Sequence, residues 1–218
     1  MGLLNKEGTS ISAPSPDVEF RIDKTKDIPI LPDFSNKREI DVKYPLLSPH
    51  AYAHIHWDEN EKEVMYEIIE PPLNENEKKI LTSLEKGIEE LINISFINIK
   101  EESAVISYLE KNAKVLLSEL GIKLPRDVFM KLMYYIYRDF VGLNKIEAMM
   151  HDYYIEDIEC NGVNTPLYIV HRKYRNLKTN VTFKTTSNLT SFVEKLAQKC
   201  GKYISYASPI LDGRLPDK

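Results

Sequence analysis

No stretch of the sequence approaches the roughly 18 consecutive apolar residues that a membrane-spanning helix needs. The opening Met1-Gly2-Leu3-Leu4-Asn5-Lys6 lacks the apolar core of a secretory signal, and Lys6 stands where a myristoylation motif wants Ser or Thr. A basic block is also missing. Lys and Arg number 29 against 33 Asp and Glu, for a net charge of −4. Phosphate backbones are bound by clustered cations, so nucleic acid is not expected as the main partner. Cysteine is scarce: Cys160 and Cys200 lie on unrelated segments and are expected to be reduced thiols packed as small hydrophobes.

Motifs of chemistry are equally sparse. The sequence contains no G-x-x-x-x-G-K-[ST], so it cannot cradle nucleotide phosphates in a phosphate loop. It has no G-x-S-x-G, no H-E-x-x-H and no Cys-His nucleophile pairing by motif. Taken alone, the chain is not expected to be an enzyme. The acidic set Asp152, Glu156, Asp157 and Glu159 reads as structural charge, because Glu156 and Asp157 fall on opposite faces of a strand and cannot share an acid/base site.

What is present describes an ordinary soluble protein, with 43% hydrophobic and 28% charged residues, long enough for one large or two small domains. Residues 1–43 are broken by Pro14, Pro16, Pro29 and Pro32 and predict a mobile arm. Its apolar spots, Ile28 to Leu31 and Phe34, are candidates for docking onto a surface. Residues 44–151 predict a β-hairpin followed by a helical bundle. Ala51 to Trp57 and Val64 to Ile69 are the hairpin strands, joined by an acidic loop at 58–62. His54 and His56 share one strand face, and Asp58 could extend the set, but no third close ligand of matching type is evident. A polar face is the expectation there, with no metal.

Three helices follow. Asn74 and Glu77 form a capping box before the stripe Ile80, Leu81, Leu84, Ile88, Leu91, Ile92. A second helix runs from about 101 to 120, with Gly121 at its left-handed stop. The third begins at Pro125 and is interrupted by Gly142, and a shorter helical piece covers 143–151. The tyrosines and methionines at 130–137 and 149–150 read as core with wet edges. Residues 152–218 then switch to strand periodicity. Strands are predicted at 155–160, 167–171 and 181–183, a helix at 187–200, and a last strand at 204–210. The fold class is α+β. The densest positive feature is His171, Arg172, Lys173, Arg175 and Lys178, joined by Arg214. It is either a solvated hairpin edge guarded by lysines, or a place where arginines reach a phosphate presented by another domain.

Several segments carry a shared pattern: I-E-D-I-x-x-N-G at 155–162, P-L-Y-I-V-H at 166–171, Y-x-x-L-x-T-N at 174–180, L-A-x-x-x-G-x-x-I-S at 196–205 and P-x-L-D-G-x-L-P-D at 209–217. They resemble the type II/type IV secretion ATPase superfamily, in particular its archaeal branch of archaellum assembly and motor ATPases (FlaI type). The likeness is specific from Tyr44 onward and absent in the first 40 residues. It departs at Lys218, where relatives usually have glycine. The resemblance implies an N-terminal domain, with the turn-dense Leu211 to Asp217 as the start of a hinge to an absent RecA-like ATPase domain. It further implies a homo-hexamer when full length, with ATP and Mg2+ bound in the cleft between domains, and a cytoplasmic location at the inner face of the membrane. The implied partners are a membrane platform protein and cytosolic motor-complex proteins; the 218 residues alone are expected to be a monomer or weak oligomer. Arg172, Arg175 and Arg214 are the expected nucleotide contacts. A stand-alone scaffold or adaptor that never meets ATP is the competing class, and nucleic-acid-dependent transport the third.

Overall fold

The period-two segments on both sides of the helical region meet in one sheet. The computed structural model describes residues 19–24, 27–95, 101–205 and 207–215; the side chains of 92–95 lie outside that description. In chain order the elements are β1 (Asp23–Lys24), β2 (Asp41–Ser48), β3 (Ala51–Asp58), β4 (Glu63–Ile69), α1 (Glu75–Ser95), α2 (Glu102–Glu119), α3 (Arg126–Ile136), β5 (Ile155–Glu159), β6 (Pro166–His171), β7 (Arg175–Thr182) and α4 (Thr186–Lys199). The strands form a seven-stranded sheet in the order β1-β2-β3-β4-β7-β6-β5. Neighbours are antiparallel except β4 and β7, which run parallel through Met65–Lys178 and Tyr66–Thr179. The α+β class expected from the sequence is the class observed.

Strand parity divides this sheet into two unlike faces. Ala53, Ile55, Tyr66, Ile68, Leu167, Ile169, Leu177 and Val181 alternate inward and are buried. They join Leu84 and Ile88 of α1, Leu109 and Ala113 of α2 and Leu132 and Ile136 of α3 in one hydrophobic cluster. Each such buried Leu or Ile contributes roughly 1.5–3 kcal/mol before entropy is counted. The alternate set, including Tyr52, His54, His56, Met65, Glu67, Tyr168 and Lys178, stays partly exposed.

Local signals hold where they carry a mechanism. The Asn74 and Glu77 side chains each accept the other's backbone N–H at 2.9 Å, closing the capping box of α1. Gly121 stops α2 with φ +66°, and Gly201 stops α4 with φ +68°. Tyr134, Tyr137, Met133 and Met149 are core residues, while Tyr135, Met130 and Met150 form its edge.

Other expectations need correction. The predicted hairpin is part of a larger meander, because β2 pairs with β3 around a bulge between Pro45 and Leu47. Bulges are where a strand tolerates proline. The 143–151 piece is two 3-10 turns, and a π-helical turn at Tyr137–Val141 ends α3. Residues 204–210 make only an isolated Ser205–Ser208 bridge among the described residues. Cys160 is exposed rather than packed as a hydrophobe. Residues 1–18, 25 and 26 of the predicted arm lie outside the described residues, but the described rest of it is anchored to the body of the protein. Phe20, Leu31 and Ile40 are buried. The backbone N–H groups of Glu19 and Phe20 donate to the buried Glu110 carboxylate at 3.1 and 3.0 Å. Among the described residues, no helix is long and apolar enough to cross a membrane.

Candidate functional site

The β6–β7 turn carries two of the three arginines singled out by sequence, so the site is built from the groups that anchor that turn. In β6, Leu167 and Ile169 point inward, and the same parity takes His171 inward with them; it is 1% exposed. Its Nδ1 accepts the backbone N–H groups of Lys173 and Tyr174 at 3.2 and 3.1 Å, pinning the turn. With Nδ1 an acceptor, the neutral ring carries its proton on Nε2, 3.5 Å from the Tyr44 hydroxyl. Burial lowers the His171 pKa to about 4, against an opposing pull from Asp152. The ring is sandwiched between Tyr154 and Tyr174, at centroid distances of 5.3 and 5.1 Å.

Beneath this stack lies Asp152, also buried. Its carboxylate accepts the hydroxyls of Tyr44 and Tyr66 at 2.7 and 2.8 Å and the Tyr154 N–H at 2.9 Å. Burial, with the adjacent carboxylate adding to it, pushes both phenols far above their ordinary range. Both remain protonated donors, so the cluster is a satisfied buried network and a rigid support. Residues of the predicted arm lie across it. The carbonyls of Pro29 and Pro32 accept the Tyr154 and Tyr174 hydroxyls at 2.6 and 2.9 Å. Lys173 donates to the Leu31 carbonyl and pairs with Asp33 at 2.9 Å. Of the arm's apolar spots, Leu31 is buried and Phe34 meets the Tyr174 ring of this turn at 6.3 Å, whereas Ile28 and Ile30 are 51% and 98% exposed.

On that support the arginines differ. Arg172 lies over the Tyr153 ring at 4.5 Å and pairs with Glu156 through Nε at 3.4 Å. Arg175 is exposed, adopts a left-handed φ of +69° and makes no side-chain hydrogen bond or ion pair among the described residues. A non-glycine residue there costs about 1 kcal/mol or more, and such outliers gather at functional sites. Arg214 follows α4, on a segment folded back on that helix's end. There a Cβ on Gly213 would come within 3.0 Å of Cys200, and Lys202 donates to the Asp212 carbonyl. The structure brings Arg172 and Arg175 onto one turn and puts Arg214 on another segment. The other members of the basic set are engaged locally: Lys178 pairs with Glu61 at 2.7 Å, and His171 is a buried neutral ring rather than part of a solvated edge.

Sequence reasoning misses the supporting pair. The pattern alone makes Asp152 structural charge, and nothing local marks it as a shared acceptor for two tyrosines more than 80 positions away. His171 is findable, because Leu167, Ile169 and His171 share a face at spacing two.

No protein-family model matches the chain. The chain is similar to the uncharacterized protein MJ1288 of Methanocaldococcus jannaschii, with 40% identity over 163 residues that make up 75% of this chain and 64% of the relative. It is also similar to two further uncharacterized proteins of that organism. MJ0900 is 34% identical over 96 residues, 44% of this chain and 17% of the relative. MJ0781 is 29% identical over 75 residues, 34% of this chain and 10% of the relative. The chain thus spans less than two thirds of the length of each of these relatives.

Proposed function

We propose that the chain is the N-terminal part of a hexameric secretion-type ATPase of the archaellum assembly and motor class, and that it presents Arg172 and Arg175 to a nucleotide held by a RecA-like domain. Arg214, on the segment after α4, is the third contact. The observation that carries this reading is Arg175: an exposed guanidinium without an internal partner among the described residues, held in strained backbone on a turn that buried His171 and Asp152 make rigid. A fixed guanidinium is the group that stabilises charge on a transferring phosphoryl, and it does so best when it needs no reorganisation. The resemblance in segments 155–162, 166–171 and 174–180 covers that turn and both flanking strands. The large unmatched remainders of MJ0900 and MJ0781 leave room in those proteins for a further domain. Since the sequence has no phosphate loop, ATP and Mg2+ would be held outside these residues, and this chain would supply cations, ring contacts and coupling to platform and cytosolic partners. Its location would be cytoplasmic, at the inner membrane face through those partners.

A second reading has its own support. The unmatched third of MJ1288 is smaller than the matched part, which suits a free-standing scaffold or adaptor without a motor domain. ATP turnover separates the two. In the protein as its gene encodes it, Arg175→Ala is expected to lower the hydrolysis rate by about 100-fold or more, with a smaller effect for Arg172→Ala. Wild-type rates and nucleotide affinity for Arg172→Ala, Arg175→Ala and Arg214→Ala would overturn the arginine assignment. No turnover in the wild-type protein would favour the adaptor.

A further inference from the structure

The outer face of the sheet holds a cluster unrelated to the turn. His54 and His56 sit at spacing two on β3, and Glu67 of β4 is the direct cross-strand partner of His54. One ligand atom from each of the three side chains lies within 4.8 Å of the others. Directly opposed residues on one face are near enough to meet, which spacing along a single strand cannot reveal.

Three features go beyond mere proximity. The His54 Nε2–H donates to the Asp41 carboxylate, 2.7 Å away, while its Nδ1 faces Glu67 Oε2 at 3.7 Å. A carboxylate on one imidazole nitrogen, fixing the ring so that the other nitrogen offers its lone pair, is the usual outer-shell arrangement of a metal-bound histidine. Next, His56 Nδ1 is buried and has no hydrogen-bond partner among the described residues. Leaving a polar atom so costs about 1–3 kcal/mol, and a cation would satisfy it. Finally, the imidazoles stack at 4.3 Å with an interplanar angle of 23°, so their nitrogens start close together. Ligands about 2.0–2.1 Å from a tetrahedral ion lie about 3.4 Å apart, so modest side-chain rotations would complete the set. Asp58, the residue the sequence offered as an extension, is occupied: its Oδ1 accepts the N–H groups of Asn60 and Glu61 at 2.7 and 2.8 Å.

We propose that His54, His56 and Glu67 form a site for one zinc-type divalent transition-metal ion, with Asp41 orienting His54 and a fourth position open to solvent. Two imidazoles and a carboxylate suit Zn2+ and Co2+ and are a poor match for Mg2+ or Ca2+, which take oxygen ligands.

The test uses untagged protein and Co2+, whose visible bands report tetrahedral coordination, with Zn2+ as competitor. The expected result is one Co2+ per chain, displaced by one Zn2+, with quenching of Trp57, the one tryptophan of the sequence and the neighbour of His56. His54→Ala/His56→Ala abolishes saturable binding, and Asp41→Asn weakens it by about 10–100-fold. Glu67→Gln, nearly isosteric and partly exposed, covers the case in which the double variant does not fold, and it weakens binding as well. Absence of saturable Co2+ binding to the wild-type chain overturns the proposal. So does wild-type affinity in Glu67→Gln, or binding that survives the double variant and depends instead on Cys160, Cys200 or His151.

Discussion

Histidine on the inner face of this sheet and histidine on its outer face have opposite fates. His171 is enclosed by two tyrosine rings, and its Nδ1 accepts two backbone N–H groups. His54 and His56, on the other side, are partly exposed and stacked on each other, and His56 keeps a nitrogen without a partner among the described residues. The residue type is the same, and so is the secondary structure. The difference comes from parity: inward positions are desolvated and must be satisfied from within, whereas outward positions can keep capacity for something from outside. An inner cluster is therefore a support, and an outer one can be a site.

Four changes break or sharpen that contrast. The largest effect is expected from Asp152→Ala, which strands two buried phenols without their acceptor; urea unfolding should show a loss of about 3–5 kcal/mol. Next is the pH dependence of His171. Its folded pKa, about 4, lies below the ordinary 6.5. Below pH 6.5 the unfolded chain takes up a proton that the native ring refuses, so stability falls as pH drops from about 6.5 to 4, by up to about 3 kcal/mol. Unfolding curves across that window should show a shallower fall for His171→Asn, which keeps an acceptor and does not titrate. At the β6–β7 turn, Arg175→Gly relieves the left-handed backbone and should raise stability by about 0.5–1 kcal/mol while it removes the exposed guanidinium. The smallest effect belongs to His54→Ala/His56→Ala, expected within about 0.5 kcal/mol of wild type in metal-free buffer.

How much of this can be read in the chain depends on range. The capping box at Asn74 and Glu77, the glycine stops at 121 and 201 and the β3–β4 pair are local, and each follows from residues within a few positions. β2 is hidden because Pro45 lies within it, and only the bulge between Pro45 and Leu47 accommodates that proline. The parallel β4–β7 contact joins Tyr66 to Thr179 across the whole helical region, and no local pattern encodes it. It is this contact that makes one sheet of segments expected to lie in separate domains. Asp152 needs the same long-range knowledge, since its two tyrosines come from β2 and β4. Glu67 needs only the hairpin register, which the sequence nearly supplies: pairing His54 with Glu67 follows once the 58–62 loop is fixed. Of the arginines, residue type and density are legible. The left-handed backbone of Arg175 and the Glu156 and Tyr153 contacts of Arg172 are not.

The measurement that bears most directly on the two-faced sheet is the thermal unfolding of three proteins with and without excess Zn2+: wild type, His171→Asn and His54→Ala/His56→Ala. At a ligand concentration about 100-fold above its dissociation constant, binding adds about 2.7 kcal/mol, or roughly 5–10 °C for a chain of this size. The account predicts that rise in wild type and in His171→Asn, whose outer face is intact, and none in the double variant. A rise that persists in the double variant, or one that vanishes in His171→Asn, would contradict it.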